Sequence, residues 1–137
     1  MAEFFAGSYH YSIDPKGRVI IPAKYRERLG EKVAIQRGAG PWLEVQPLGE
    51  WYNWLEGYSR LDEYSGDQAM RAKLRRKVQG SQIDNLVDKQ GRLLIPQEMR
   101  EHAHLEREIV IAGSINVIEI WDKARHEEFL RREEEEP

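Results

Sequence analysis

The chain has no cysteine among its 137 residues, which excludes disulfides, a thiol nucleophile and thiolate metal sites. No apolar run approaches the ~20 residues of a membrane span, and Met1-Ala2-Glu3-Phe4-Phe5 lacks the basic start and apolar stretch of a secretory signal. A soluble, cytoplasmic protein with no membrane partner is expected. Enzyme signatures are missing too: no G-x-x-x-x-G-K-[ST], no G-x-S-x-G and no H-E-x-x-H. The expectation is therefore no enzyme, no catalytic residue, no cofactor, no metal and no small-molecule substrate. His102-x-His104 on a short helix would not share a face. An excess of positive charge is also lacking, since the net charge is −3. That argues at face value against nucleic acid, but the terminal run Glu133–Glu136 carries the imbalance. A near-neutral remainder can still present a basic face.

What the chain does have is one stretch written twice. Asp14-Pro15-Lys16-Gly17-Arg18-Val19-Ile20-Ile21-Pro22 recurs as Asp88-Lys89-Gln90-Gly91-Arg92-Leu93-Leu94-Ile95-Pro96. Between 13–27 and 87–101 the Asp, Gly, Arg, Ile, Pro, Arg and Glu positions are identical. Two copies are too few for a solenoid and suggest two half-domains that complete each other. Gly17 and Gly91 stand where a tight turn needs positive φ. Asp14 and Asp88 are turn-formers whose carboxylates accept backbone N–H groups, a simpler account than a catalytic pair. Ser8–Ile13 and Arg18–Ile21 are expected to form a hairpin about the first turn. Pro22 and Pro96 end each strand and open short helices, the first closed by Gly30.

The remaining elements repeat in the same order. Strands are expected over Lys32–Gln36 and Trp42–Gln46, matched by Ile109–Ile111 and Ile118–Ile120. A helical stretch opening at Pro47-Leu48-Gly49 carries Trp51, Trp54 and Leu55, and Arg125–Leu130 answers it with Phe129 and Leu130. Trp42, Trp51, Trp54 and Trp121 fall on apolar positions of the repeat, so packing rather than base stacking is expected of them. The halves span 5–56 and 81–130. Between them, 57–80 is a connecting segment punctuated by Gly57 and Ser65-Gly66-Asp67, with a helix over Gln68–Val78 rich in Arg71, Lys73, Arg75, Arg76 and Lys77. The bland reading of that basic run is a solvated linking helix; the sharper one is a second phosphate-binding surface. Residues 131–137 form a like-charge acidic tail, expected to be disordered.

The pattern D-x-x-G-R-[apolar]3-P-x-x-x-R resembles the loop-hinge core of the AbrB/SpoVT swapped-hairpin DNA-binding domains. Two copies with Phe5-Ala6-Gly7 before the first, and Gly113 with Ile118-Glu119-Ile120-Trp121 after the second, resemble the MraZ family over about Phe5 to Phe129. The resemblance implies an α+β fold in which two tandem swapped-hairpin halves interleave into a pseudo-two-fold β-barrel with helices outside. It also implies a sequence-specific, nucleoid-associated regulator that binds duplex DNA at its own promoter and the division and cell-wall gene cluster. Such proteins assemble into ring-like homo-oligomers that read direct repeats. Each turn offers two cations against one Asp. Arg18 and Arg92 can each pair with the Asp four residues earlier, worth only ~0.2–1 kcal/mol, or grip guanine O6 and N7; DNA contact is expected for both. Lys16 and Lys89 suit phosphates. Lys24, Arg26 and Arg100 are supporting candidates, the two arginines being equally readable as ties between helix and sheet. The alternative is an antitoxin-type protein-binding module, for which 131–137 is a short tail.

Overall fold

The computed structural model describes residues 4–64 and 67–135, with the side chains of 61–64 excluded. The expected breaker residues Ser65 and Gly66, the start Met1–Glu3 and the tail end Glu136-Pro137 lie outside them. The fold is α+β. The elements run β1 (Ser8–Ser12), β2 (Arg18–Ile20), α1 (Ala23–Leu29), β3 (Lys32–Arg37), β4 (Trp42–Pro47), α2 (Leu48–Tyr64), α3 (Gln68–Gln79), β5 (Gln82–Leu86), β6 (Arg92–Leu94), α4 (Gln97–His102), β7 (Glu108–Ser114), β8 (Val117–Asp122) and α5 (Lys123–Glu135). Among the described residues, no helix is long and apolar enough to cross a membrane.

All strand pairing is antiparallel. β1, β7, β8, β4, β3 and β5 form one six-stranded sheet in that order, while β2 and β6 form a separate two-stranded ribbon. No ladder among the described residues joins the outer strands β1 and β5. The expected hairpin of Ser8–Ile13 with Arg18–Ile21 does not form. β1 pairs with β7, with Tyr9 opposite Ile111, and β2 pairs with β6, with Val19 opposite Leu93. β5 likewise crosses to β3. The reason is burial: Val19, Ile21, Leu93 and Ile95 all have 0% exposure, and pairing the two ribbon strands with each other puts these apolar positions on one inward face.

That inward face closes the core. Against it lie Leu43, Val45, Ile118 and Ile120 from the two central sheet strands, together with Tyr25 and Leu29 of α1 and Met99 of α4. Alternate residues of β4 and β8 are buried, so the sheet turns one face inward. β3 and β7 are buried over consecutive residues because α2 and α5 cover their outer sides. The buried Gln36 beneath α2 is satisfied on both sides: Trp51 Nε1 donates to its Oε1 at 3.2 Å, and its Nε2 donates to Glu44 at 3.1 Å. The tryptophans pack rather than line a platform: Trp42 stacks on Trp121 at 4.7 Å, and Phe129 closes on both. His102 Nε2 lies 3.0 Å from the Gly40 carbonyl oxygen.

Two sequence expectations about helix ends are corrected. Gly57 does not punctuate the chain; α2 runs through it from Leu48 to Tyr64. Once Leu48–Glu56 has nucleated the helix, propagation past one exposed Gly costs only ~1 kcal/mol. The disorder expected of the acidic tail 131–137 is likewise corrected for its described part, residues 131–135. α5 continues to Glu135, with Arg131 and Arg132 both paired to Glu128 one turn earlier.

The N-terminal segment fastens the first half to the second. Phe5 exchanges backbone hydrogen bonds with Ile115 (2.8 and 3.0 Å), and Gly113 N–H donates to Gly7 O at 2.8 Å. The Tyr25 hydroxyl shares its proton between the carbonyls of Ala6 and Gly7, at 2.7 and 2.6 Å. A Cβ at Gly113 would lie 2.4 Å from Ala6 N and 2.5 Å from Phe5 C, backbone that cannot move aside cheaply. Gly113→Val should therefore unlatch this strand and destabilise the fold by about 1–3 kcal/mol. Thermal melts should show the loss, with Ile115→Ala, exposed beside the same latch, nearly silent.

Candidate nucleic-acid interface

Each repeat's turn is built the same way. Gly17 N–H donates to Asp14 O at 2.9 Å, and Asp14 N–H donates to Arg18 O at 2.9 Å; Gly91, Asp88 and Arg92 match both distances. Pro15 at the second position and Gly17 at the fourth suit such a turn. The glycines have φ of +87° and +81°. The Asp side chain then ties the turn from inside. Asp14 Oδ1 accepts from Lys16 N at 2.9 Å and Arg18 N at 2.8 Å, and its Oδ2 accepts from Arg18 Nε at 2.7 Å. Asp88 accepts from Gln90 N, Arg92 N and Arg92 Nε at 2.9, 2.8 and 2.8 Å.

This bond orients the arginine without consuming it. The carboxylate takes only Nε, and no other hydrogen bond involves either guanidinium among the described residues. Both terminal nitrogens therefore remain as a paired donor fork. The Arg18 and Arg92 side chains keep 31% and 33% of their surface exposed. Lys16 and Lys89 are exposed beside them, on different turn positions in the two copies.

The ribbon brings the two arginines together. Arg18 stands opposite Leu94 and Ile20 opposite Arg92. By alternation these four side chains share the outward face, while Val19 and Leu93 point into the core. Arg18 and Arg92 are diagonal neighbours, roughly 7–8 Å apart at the backbone. Each turn is also bonded to the opposite repeat, Ile21 N–H to Gly91 O at 2.8 Å and Ile95 N–H to Gly17 O at 2.9 Å.

Arg26 and Arg100 are placed differently. Arg26 Nε donates to Ile21 O at 2.9 Å, and its guanidinium lies against Gly91, where a Cβ would come within 2.2 Å of it. Arg100 does the same against Gly17, where the corresponding gap is 2.7 Å. Each helix arginine thus braces the turn of the other repeat. The Arg100 Nε is buried with no partner. The spacing P-x-x-x-R marked these residues, but no sequence signal showed that their contact crosses between halves. Lys24 is exposed in the first turn of α1.

The carboxylates hold a testable charge. The Arg18 N–H, foremost, holds Asp14 below the usual carboxylate range; desolvation, next in weight, opposes it, and the Arg18 side chain and the Lys16 N–H add to the lowering. Asp88 is lowered by the equivalent groups of Arg92 and Gln90. A lowered folded value means the ionised turn contributes stability that is complete above the unfolded carboxylate value and is lost as pH falls through the folded one. We expect stability to fall on acidification below about pH 4, with the double variant Asp14→Asn, Asp88→Asn showing a shallower acid limb. Urea melts across pH 2–7 check this.

The family model described as "MraZ protein, putative antitoxin-like" matches residues 4–76 and 84–137, which include both turns and the ribbon. A protein of Acetivibrio thermocellus named "Transcriptional regulator MraZ" is 44% identical over 125 residues, 91% of this chain and 85% of its own length. A Pediococcus pentosaceus protein of the same name is 42% identical over 132 residues, 96% of this chain and 90% of its own. This chain belongs to the MraZ family.

Proposed function

We propose that this protein is a non-enzymatic transcriptional regulator that binds duplex DNA in a sequence-specific way. The observation that carries the reading is the outward ribbon face, with two carboxylate-oriented arginines whose terminal nitrogens are unpaired among the described residues. Arg18 and Arg92 read guanine through their donor forks. Lys16 and Lys89 contact phosphates and set register. Arg26 and Arg100 hold the turns in place from behind, and Lys24 is an auxiliary cation. The relatives' name supports regulation of transcription. The family resemblance points to the protein's own promoter and the division and cell-wall genes as targets, with the nucleoid as its place of action.

The reciprocal pairings β1 with β7, β5 with β3 and β2 with β6 support reading the halves 5–56 and 81–130, joined through 57–80, as one pseudo-two-fold swapped-hairpin unit. One ribbon is small beside the ~1,000–2,500 Å² of protein surface buried in specific DNA complexes. Several copies therefore act together, as a ring engaging direct repeats.

Two experiments test this. Arg18→Ala and Arg92→Ala should each weaken DNA binding roughly 5- to 150-fold, with less than about 1 kcal/mol lost in melts because the broken ion pair is partly exposed. Stable variants with undiminished binding would favour the antitoxin-like, protein-binding reading instead. Adjacent repeats should also lie about 10 base pairs apart or a multiple. In a spacing series titrated at fixed salt, an inserted half turn of DNA should cost much of the affinity and a full turn should restore it. Equal affinity at every spacing overturns cooperative reading by the assembly.

A further inference from the structure

The outward ribbon face carries two groups that the charge-based reading leaves without a role. Ile20 is 36% exposed and Leu94 is 53% exposed, on the same face as Arg18 and Arg92. The face is a tile of four side chains: Arg18 beside Leu94 in one row, Ile20 beside Arg92 in the other. Across an antiparallel pair, opposite Cβ atoms are ≈ 4.5–5.5 Å apart. Each guanidinium therefore has an aliphatic side chain next to it, contributed by the other repeat.

The inner face of the ribbon already supplies the core, which leaves these outward aliphatics available for another contact. We propose that Ile20 and Leu94 are specificity-determining residues that contact the C5-methyl groups of thymines beside the guanines read by Arg92 and Arg18. This rests on the DNA-binding reading above. The chemistry is selective. The thymine methyl is the apolar group that base edges present in the major groove, a groove wide enough at ≈ 12 Å to admit a two-stranded ribbon. Stacked bases repeat every ≈ 3.4 Å along a strand. An aliphatic roughly 5 Å from its arginine therefore meets a base pair one or two steps from the guanine. A second copy covering the apolar pair is the rival occupant, but around this face the four cations Lys16, Arg18, Lys89 and Arg92 outnumber the two carboxylates Asp14 and Asp88, and that excess would repel a second copy and attract phosphates.

The test uses the full-length protein and a duplex that it selects from a random-sequence pool. Each thymine of that duplex is replaced in turn by deoxyuridine, which deletes only the methyl, and binding is followed by fluorescence anisotropy. The expected result is one or two positions in each site where loss of the methyl weakens binding about three- to tenfold. Ile20→Ser or Leu94→Ser should abolish that sensitivity at its own position, with Arg-dependent binding retained. Uniform tolerance of deoxyuridine by the unaltered protein overturns the inference without touching the DNA reading, and requires no variant to fold. Methyl sensitivity that persists in both Ser variants also overturns it. Dissociation of an oligomer by the Ser variants, seen in sedimentation with no deoxyuridine effect, assigns the face to a second copy. Failure to select any duplex sinks the DNA reading itself.

Discussion

The structure turns on the pairing of Val19 with Leu93. These two residues face each other at the centre of the β2–β6 ribbon with no exposure to solvent, and each comes from a different repeat. Neither half can bury its apolar strand alone, because a three-residue strand has no partner within its own half. Once the strands pair across, the turns follow: Gly91 O and Gly17 O accept from Ile21 and Ile95, so each turn is anchored to the opposite repeat. The six-stranded sheet repeats the logic at larger scale, with β1 and β5 exchanged between halves. The pairings are cross-linked thoroughly enough that separating the halves means opening the core.

The same pairing makes the proposed DNA-binding face. Alternation along a strand forces Arg18 and Ile20 outward if Val19 is buried, and Arg92 and Leu94 outward if Leu93 is buried. The burial of two aliphatic residues therefore places two arginines on one surface. The Asp of each turn completes the arrangement by holding Nε and leaving the terminal nitrogens free to donate. Glycine serves twice at these turns: the backbone needs φ near +80 to +90°, and the guanidinium of Arg26 or Arg100 occupies the space a Cβ would fill. One position thus meets a local and a tertiary demand together.

The negative net charge is reconciled by distribution. The Glu133–Glu135 end of α5 belongs to a helix packed on β7 and β8 of the sheet, not on the β2–β6 ribbon. The ribbon has no acidic residue on its outward face. At ionic strengths where the Debye length is ≈ 8–10 Å, a charge further than that from the ribbon is largely screened there. Local composition therefore matters more than the sum.

By itself the sequence determined the duplication, the two Asp-to-Gly turns, the short strands and helices that follow them, and the arginines as candidates. These are local properties: turn chemistry, alternation and proline stops act within a few residues and are written where they act. Partners were decided only by the tertiary structure. The hairpin expected between Ser8–Ile13 and Arg18–Ile21 is locally plausible, yet both arms pair with the other half, since only that arrangement buries Val19 and Leu93 together. Arg26 and Arg100 were legible as useful cations, but their contact with the opposite turn glycine was not. The outward apolar pair Ile20 and Leu94 reads in the sequence as ordinary strand hydrophobics. Which face of a strand is buried depends on what packs against it, and in this chain that partner lies in the other repeat.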